Sequence, residues 1–403
     1  MNRSDRNGSI FKTGSSRWYG RSWCNPGSAA DPSVISFAGG LPAPELFPVA
    51  EMKKAVDTVF DEHGREAMQY GASRGVTELR ELITKRVKER EGIDSKVENV
   101  MVTTGSEQVL DLVGKAFIDE GDEVLVEDPT YLCALDVYRS YGAKFVSVPQ
   151  DDQGLRVDAL EEALKNHPKA KLLYTVSNFQ NPTGKTMPVD RRKKVAELAA
   201  KYDVMVLEDN PYGDIRFEGE HVPAIKAFDT TNHVLYMSTF SKILAPGFRL
   251  GWVLGDPKVI DKLTVLKQST DLHTDQLAQW AVVEFFAQND INKHVDQISA
   301  LYGKRKDLMI EGMKKYFPEG VKYTNPEGGM FLWVKVPGVT DTVELFKKCL
   351  KEKVAFVPGD PFFAGKPEPG TFRLNYSNMQ EDKIEEGLKR LGKALSDAVN
   401  ENK

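Results

Sequence analysis

From Val34 onward the chain alternates short apolar runs with longer stretches of mixed character. VMVTT (100–104), EVLVE (123–127), KFVSV (144–148), KLLYTV (171–176), VMVLE (204–208), VLYMS (234–238) and RLGWVLG (249–255) read as strands. Gly105 and Ser106 open a helical stretch, EQVLDLVGKAF, and a turn at Asp128-Pro129 leads into a helix from Tyr131. Short apolar runs alternating with amphipathic helices predict βαβ units, hence an α/β protein with a mostly parallel central sheet and flanking helices. Helical patterns dominate from about 256 to 316. EGGMFLWVKV (327–336), FRLNYS (372–377) and a final charged helix then predict a smaller α+β unit.

A chain of 403 residues is too long for one ordinary core. The expected division is an N-terminal arm over 1–33, a large domain over 34–290 and a small C-terminal domain over 291–403, with the start of the large segment free to join the small one. The arm is rich in Ser, Gly, Arg and Asn and carries Trp18, Tyr19 and Trp23, without the apolar pattern of a core of its own. Composition is that of a globular protein, 41% hydrophobic and 28% charged. A net charge of -5 with no long basic run argues against nucleic acid as a partner. Cys24, Cys133 and Cys349 are odd in number, far apart and without metal-ligand spacing, so three reduced thiols and no metal are expected. The polar start MNRSDRNGSIFKTG lacks a signal core, and no run approaches ~18 apolar residues. The expectation is a cytoplasmic protein without a membrane partner.

Three segments carry chemistry. In STFSKILAPGFRLG (238–251) Lys242 follows an apolar strand, where open α/β sheets place ligands, and Arg249 lies seven positions later. Thr239, Ser241 and Arg249 are suitable donors for a dianionic phosphate, Arg249 through its planar fork. In VLEDNPYGD (206–214) Asp209 ends a strand and Tyr212 lies three residues on. In NFQNPTGKTM (178–187) Asn181-Pro182-Thr183-Gly184 is a turn signature. Taken singly, each has a plain structural explanation: a solvated lysine with a structural arginine, an acidic residue at a strand end, and a turn.

Together and in this order the segments resemble the fold-type I aminotransferases of class I/II, which depend on pyridoxal 5'-phosphate, from about Val34 to Leu395. Within that family the chain is most similar to the branch of 2-aminoadipate, kynurenine and aromatic aminotransferases. The resemblance implies the fold type I architecture, with Lys242 as the lysine that carries the cofactor. It implies that Asp209 pairs with the pyridine nitrogen, that Tyr212 holds the 3-oxygen, and that Asn181 reaches both that oxygen and the substrate carboxylate. Gly105 and Ser106 match the phosphate-binding pair at a helix N-terminus, where exposed N–H groups favour an anion. Glu107 departs from the family, which often has an uncharged residue there; its backbone N–H would bind while its carboxylate turns away. Tyr131 matches the aromatic stacked on the ring, and Tyr70, in QYGASRG, the tyrosine lent to the phosphate by the neighbouring subunit of a homodimer. Arg373, in TFRLNYS, matches the clamp on the substrate α-carboxylate, and Gly40, in SFAGGLP, the close-approach glycine near the substrate.

The implied reaction is amino transfer between an amino acid of aromatic, 2-aminoadipate or kynurenine type and a 2-oxo acid, 2-oxoglutarate being the expected acceptor. The same cofactor residues also serve lyases, decarboxylases and synthases of this fold. A transcription regulator with an aminotransferase-like domain would need a DNA-binding module before it, for which about 33 residues are too few. The arm matches no family pattern; Arg17 and Arg21 are candidates for a side-chain carboxylate, Trp18 and Tyr19 for an aromatic substrate, with a surface or interface role as the alternative.

Overall fold

The computed structural model describes residues 31–401. Arg17, Trp18, Tyr19, Arg21, Trp23 and Cys24 lie outside them. The central sheet has eight strands, in the order Val100–Thr104, Leu250–Leu254, Val234–Thr239, Met205–Asp209, Leu172–Thr175, Glu123–Asp128, Lys144–Asp151 and Gly154–Leu155. The run from Val234–Thr239 to Lys144–Asp151 is parallel throughout. Leu250–Leu254 is antiparallel to both its neighbours, and Gly154–Leu155 closes a hairpin at the far edge.

Both faces of this sheet are covered, which is why its strands read as continuous apolar runs rather than clean alternation. Side chains still take opposite faces in turn. Val124, Val126, Leu172, Tyr174 and Leu207 enter the larger core. Leu125, Leu173 and Val206 meet a second core, with Leu160 and Leu164 of the helix Val157–Asn166 and Val195 and Leu198 of the helix Val189–Tyr202.

Most strand limits differ from the sequence pattern by one to three residues, and two of the differences bear on the site. The run read as 249–255 begins at Leu250, because Arg249 closes the 3-10 turn Pro246–Phe248 with φ 51° and cannot pair there. Asp128, read as the start of a turn, is the last residue of its strand, and its carboxylate accepts the Ala364 N–H at 3.0 Å. The helical region after 256 is three helices, Pro257–Gln268, Gln276–Gln288 and Ile291–Tyr316. Each starts at an aspartate whose side chain accepts a first-turn N–H: Asp256, Asp275 and Asp290.

A four-stranded antiparallel sheet, in the order Lys322–Tyr323, Phe331–Lys335, Thr371–Asn375 and Val357–Pro358, forms the second layer system. The helices Ile291–Tyr316 and Glu381–Glu401 pack together beside it. Their close approach needs Gly312, where a Cβ would stand 2.5 Å from Leu388 Cδ1. Near the start of the described chain, Ile35–Ser36 pairs in parallel with Val354–Ala355, and the Phe37 carbonyl accepts the Asn375 N–H at 2.8 Å. This pairing carries Ala38 and Gly40 to the place where the two sheets meet the site.

Among the described residues no helix is long and apolar enough to cross a membrane. Cys349 is a buried free thiol. Cys133 is disulfide-bonded, which corrects the expectation of three reduced thiols. A disulfide answers to distance across the fold, which spacing along the chain does not report.

Candidate active site

The parallel strands all point the same way, so the segments that leave their C-terminal ends gather along one edge. Asp209 is the last residue of its strand, and Thr239 the last of the neighbouring one, followed closely by Ser241 and Lys242. Tyr131 follows Glu123–Asp128, and Asn181 follows Leu172–Thr175. These residues line a cavity of about 130 Å³ together with Ser106, Glu107, Tyr212 and Arg249. Val176, Pro211 and Pro246 complete its wall, and the sequence had not marked them.

The Lys242 ammonium donates to the Gly40 carbonyl at 2.8 Å, the contact that brings Gly40 to the site. Burial, with Arg373 and Arg249 nearby, pulls the Lys242 pKa down to about 8. Much more of the free amine is therefore present near neutrality than for a solvated lysine. Asp209 Oδ2 accepts the Tyr174 hydroxyl at 2.7 Å, while Oδ1 is buried without a partner. Burial pushes the Asp209 pKa up to about 7, against the Tyr174 hydrogen bond that lowers it. A cationic N–H donor at Oδ1 would satisfy the carboxylate and hold it ionised.

One end of the cavity suits an anion. Gly105 caps the helix Ser106–Phe117 with φ 72°, and a Cβ there would stand 2.4 Å from Arg249 Nη2. Only glycine lets the guanidinium lie against that helix start. Arg249 has no carboxylate within ion-pair distance among the described residues. The Thr239 hydroxyl lies 2.9 Å from Ser241 Oγ and accepts the Ser241 N–H at 3.1 Å.

Behind Asn181, which lines the cavity, stands a group that suits a carboxylate. Arg373 donates from Nη1 to Asn181 Oδ1 at 2.7 Å and from Nη2 to the Ala38 carbonyl at 2.8 Å. Its Nε is buried without a partner. The guanidinium lies 4.1 Å from the Phe331 ring centroid and 5.1 Å from that of Phe362, so aromatic faces rather than acids surround it. Burial lowers its pKa to about 10, leaving it charged at neutrality and able to take an anionic partner. Asn181 Nδ2 reaches the Tyr212 hydroxyl at 3.4 Å, so one amide touches both residues. A lysine poised near its free form, a neighbouring acid and a guanidinium without a counter-ion can together bind an amino acid and move a proton.

Residues 35–391 match the family model for aminotransferase class I and II. The chain belongs to that family. It is 44% identical to the aromatic-amino-acid aminotransferase 1 of Thermococcus litoralis over 370 residues, 91% of this chain and 89% of that protein. It is 38% identical to the 2-aminoadipate transaminase of Thermus thermophilus over 369 residues, 90% of each chain. The structure is similar to that of the Pyrococcus horikoshii kynurenine aminotransferase, solved with PMP, KYN and KYA, at a TM-score of 0.91 and 40% identity. That likeness covers 98% of this chain and 99% of the other. The architecture is accordingly the fold type I of these enzymes, and the activity is amino transfer.

Among the described residues singled out from the sequence, Tyr70 is not part of this cluster. It is 79% exposed and borders a separate surface hollow with Gln69, Gly71, Gln276 and Trp280. Its ring meets that of His273 edge-on at 5.8 Å. Three kinds of residue went unmarked. Tyr174 is a phenol inside an apolar strand, and a buried phenol demands a partner, so the sequence held a signal for it. Phe331 and Phe362 carry no signal of their own beyond hydrophobicity. Glu127 is a buried acid at the end of a strand: it accepts from Thr175 Oγ1 at 2.7 Å and Gln180 Nε2 at 3.1 Å. Gln180 in turn accepts the Thr183 N–H at 3.0 Å, which holds the turn that presents Asn181. Burial raises the Glu127 pKa to about 7.

Proposed function

We propose that the protein transfers amino groups between an amino acid and a 2-oxo acid with pyridoxal 5'-phosphate at Lys242. The observation that carries this reading is the pairing, in one cavity, of a lysine whose pKa is about 8 with a buried Asp209 oxygen that lacks a partner. The residues fit the cofactor at each of its polar groups. Gly105, Ser106, Thr239, Ser241 and Arg249 would hold the phosphate, with the backbone N–H of Glu107 among the donors and Tyr70 of a second subunit completing the shell. Asp209 Oδ1 would accept from the ring nitrogen, Tyr212 and Asn181 would meet the 3-oxygen, and Tyr131 would cover the ring face.

When bound, pyridoxal phosphate supplies an aldehyde for amines and a ring that withdraws electrons from the substrate Cα. Lys242 acts first as nucleophile and then as the base that takes the Cα proton and gives it back elsewhere. Asp209 would be held ionised by a cationic N–H donor at its unpartnered Oδ1. Arg373 takes the α-carboxylate, using Nε and the fork that Asn181 and Ala38 hold in place. Holding the carboxylate, and so leaving the C–H bond as the one to break, favours transfer over decarboxylation.

The named relatives support aromatic, 2-aminoadipate or kynurenine-type donors, with 2-oxoglutarate as acceptor. The exposed position of Tyr70, away from its own chain's cavity, supports a homodimer with shared sites. The two separate sheets support a large domain over 34–290 and a small one over 291–403, tied by the Ile35–Ser36 strand. Borohydride reduction of the purified protein followed by peptide mass mapping tests the central claim: the pyridoxyl mass should sit on Lys242, and its appearance on another lysine overturns it. An amino-donor screen with 2-oxoglutarate, read as glutamate formed, tests the substrate class.

A further inference from the structure

Glu107 lines the cavity and its carboxylate meets Tyr131 there, which corrects the expectation that it turns away. It is the second residue of the helix Ser106–Phe117 and lines the same space as Lys242, Asp209 and Arg249. Among the described residues no lysine, arginine or histidine lies within ion-pair distance of it. Its Oε1 instead accepts the Tyr131 hydroxyl at 2.6 Å, a short hydrogen bond of the charge-assisted kind. An acid in a helix's first turn is ordinarily favourable, because it meets the positive end of the helix dipole. Here the same helix start is where an anion would bind, so the carboxylate and a bound phosphate compete for one patch of positive potential. That the charge reaches into the cavity is seen in its neighbours: it raises the proton affinity of Asp209 and of Lys242.

We propose that Glu107 is a positioning residue that anchors the Tyr131 ring through its phenol while its charge loosens the hold on the cofactor's phosphate. This rests on the pyridoxal phosphate reading. Tyr131 needs an anchor because its ring is only partly buried and, among the described residues, its hydroxyl has no other partner. A glutamine would serve as acceptor equally well, so the negative charge is not required by the geometry. Its presence makes phosphate binding weaker than the same fold would otherwise give.

The test uses apoprotein of the full chain, titrated with pyridoxal phosphate and with phosphate-free pyridoxal, each followed by quenching of protein fluorescence. Glu107→Gln should bind pyridoxal phosphate at least about fivefold more tightly than wild type, the scale of one like charge removed from a partly solvated anion site. Its affinity for pyridoxal should be unchanged. The near-ultraviolet circular dichroism of the bound cofactor should match wild type in Glu107→Gln, where the amide oxygen still accepts from Tyr131. It should change in Glu107→Ala and in Tyr131→Phe alike. No gain for pyridoxal phosphate, or an equal gain for pyridoxal, overturns the role of the charge. An unaltered spectrum in Glu107→Ala overturns the anchor. Failure of wild type to bind pyridoxal phosphate at all would instead remove the reading on which the proposal rests.

Discussion

The Tyr174 hydroxyl donates to Asp209 Oδ2 at 2.7 Å, and the other oxygen of that carboxylate is buried without a partner. Tyr174 is therefore what keeps the acid ready to ionise, since burial alone would push its pKa higher still. Tyr174→Phe should raise the Asp209 pKa in the apoprotein and cost ~1–3 kcal/mol of stability, the cost of leaving a buried polar group unsatisfied. Carboxyl carbon NMR and urea unfolding measure the two effects. An unmoved Asp209 resonance would show that the phenol is mere packing.

The same acid sets a pH dependence. Folded Asp209 has a pKa of about 7 against an ordinary value of 3.8, so between those values the folded apoprotein binds more protons than the unfolded chain. Stability contributed by the protonated group is complete below about pH 4 and is lost as the pH rises to about 7. Glu127, raised from 4.5 to about 7, has the same sign. Asp209→Asn should lose less stability than wild type between about pH 5 and about pH 8. Urea titrations at the two pH values decide it, and equal losses would place the slope on other groups.

Arg373 makes two hydrogen bonds from its fork and lies between Phe331 and Phe362. A lysine has neither the fork nor the flat face, so Arg373→Lys is not conservative here. The substitution should cut kcat/KM for amino acids by roughly 10–100-fold, the loss of a charge-assisted hydrogen bond worth ~1.5–3 kcal/mol. An amine donor without an α-carboxylate should be nearly unaffected. Equal losses for both donors would mean that Arg373 supports the fold rather than the substrate.

Tyr70 lies on the surface, so removal of its hydroxyl should leave thermal unfolding within ~0.5 kcal/mol of wild type. Cofactor retention through dialysis should fall in Tyr70→Phe if the residue serves a second subunit's phosphate. On a sizing column the active species should run as a dimer. A fully active monomer would end the shared-site reading.

Much of the frame was legible along the chain. VMVTT and VLYMS are strands because β-branched and apolar residues in short runs can only be satisfied inside a covered sheet. Asp209 was then legible as the last residue of such a strand, and Lys242, Asn181 and Tyr131 as residues past the ends of others. What no local pattern contained was contact between distant segments. Asn181 and Arg373 meet across 192 positions, and Lys242 and Gly40 across 202. Tyr174 became Asp209's partner through pairing of adjacent strands, and Phe331 and Phe362 became the walls of Arg373 through the second sheet. Arg249 lies against Gly105 with a left-handed backbone, and Tyr70 borders a separate hollow. Periodicity reports which face of an element is buried, since that is a property of neighbours along the chain. Which side chains share a cavity is decided by how whole elements pack, and only the tertiary structure carries that.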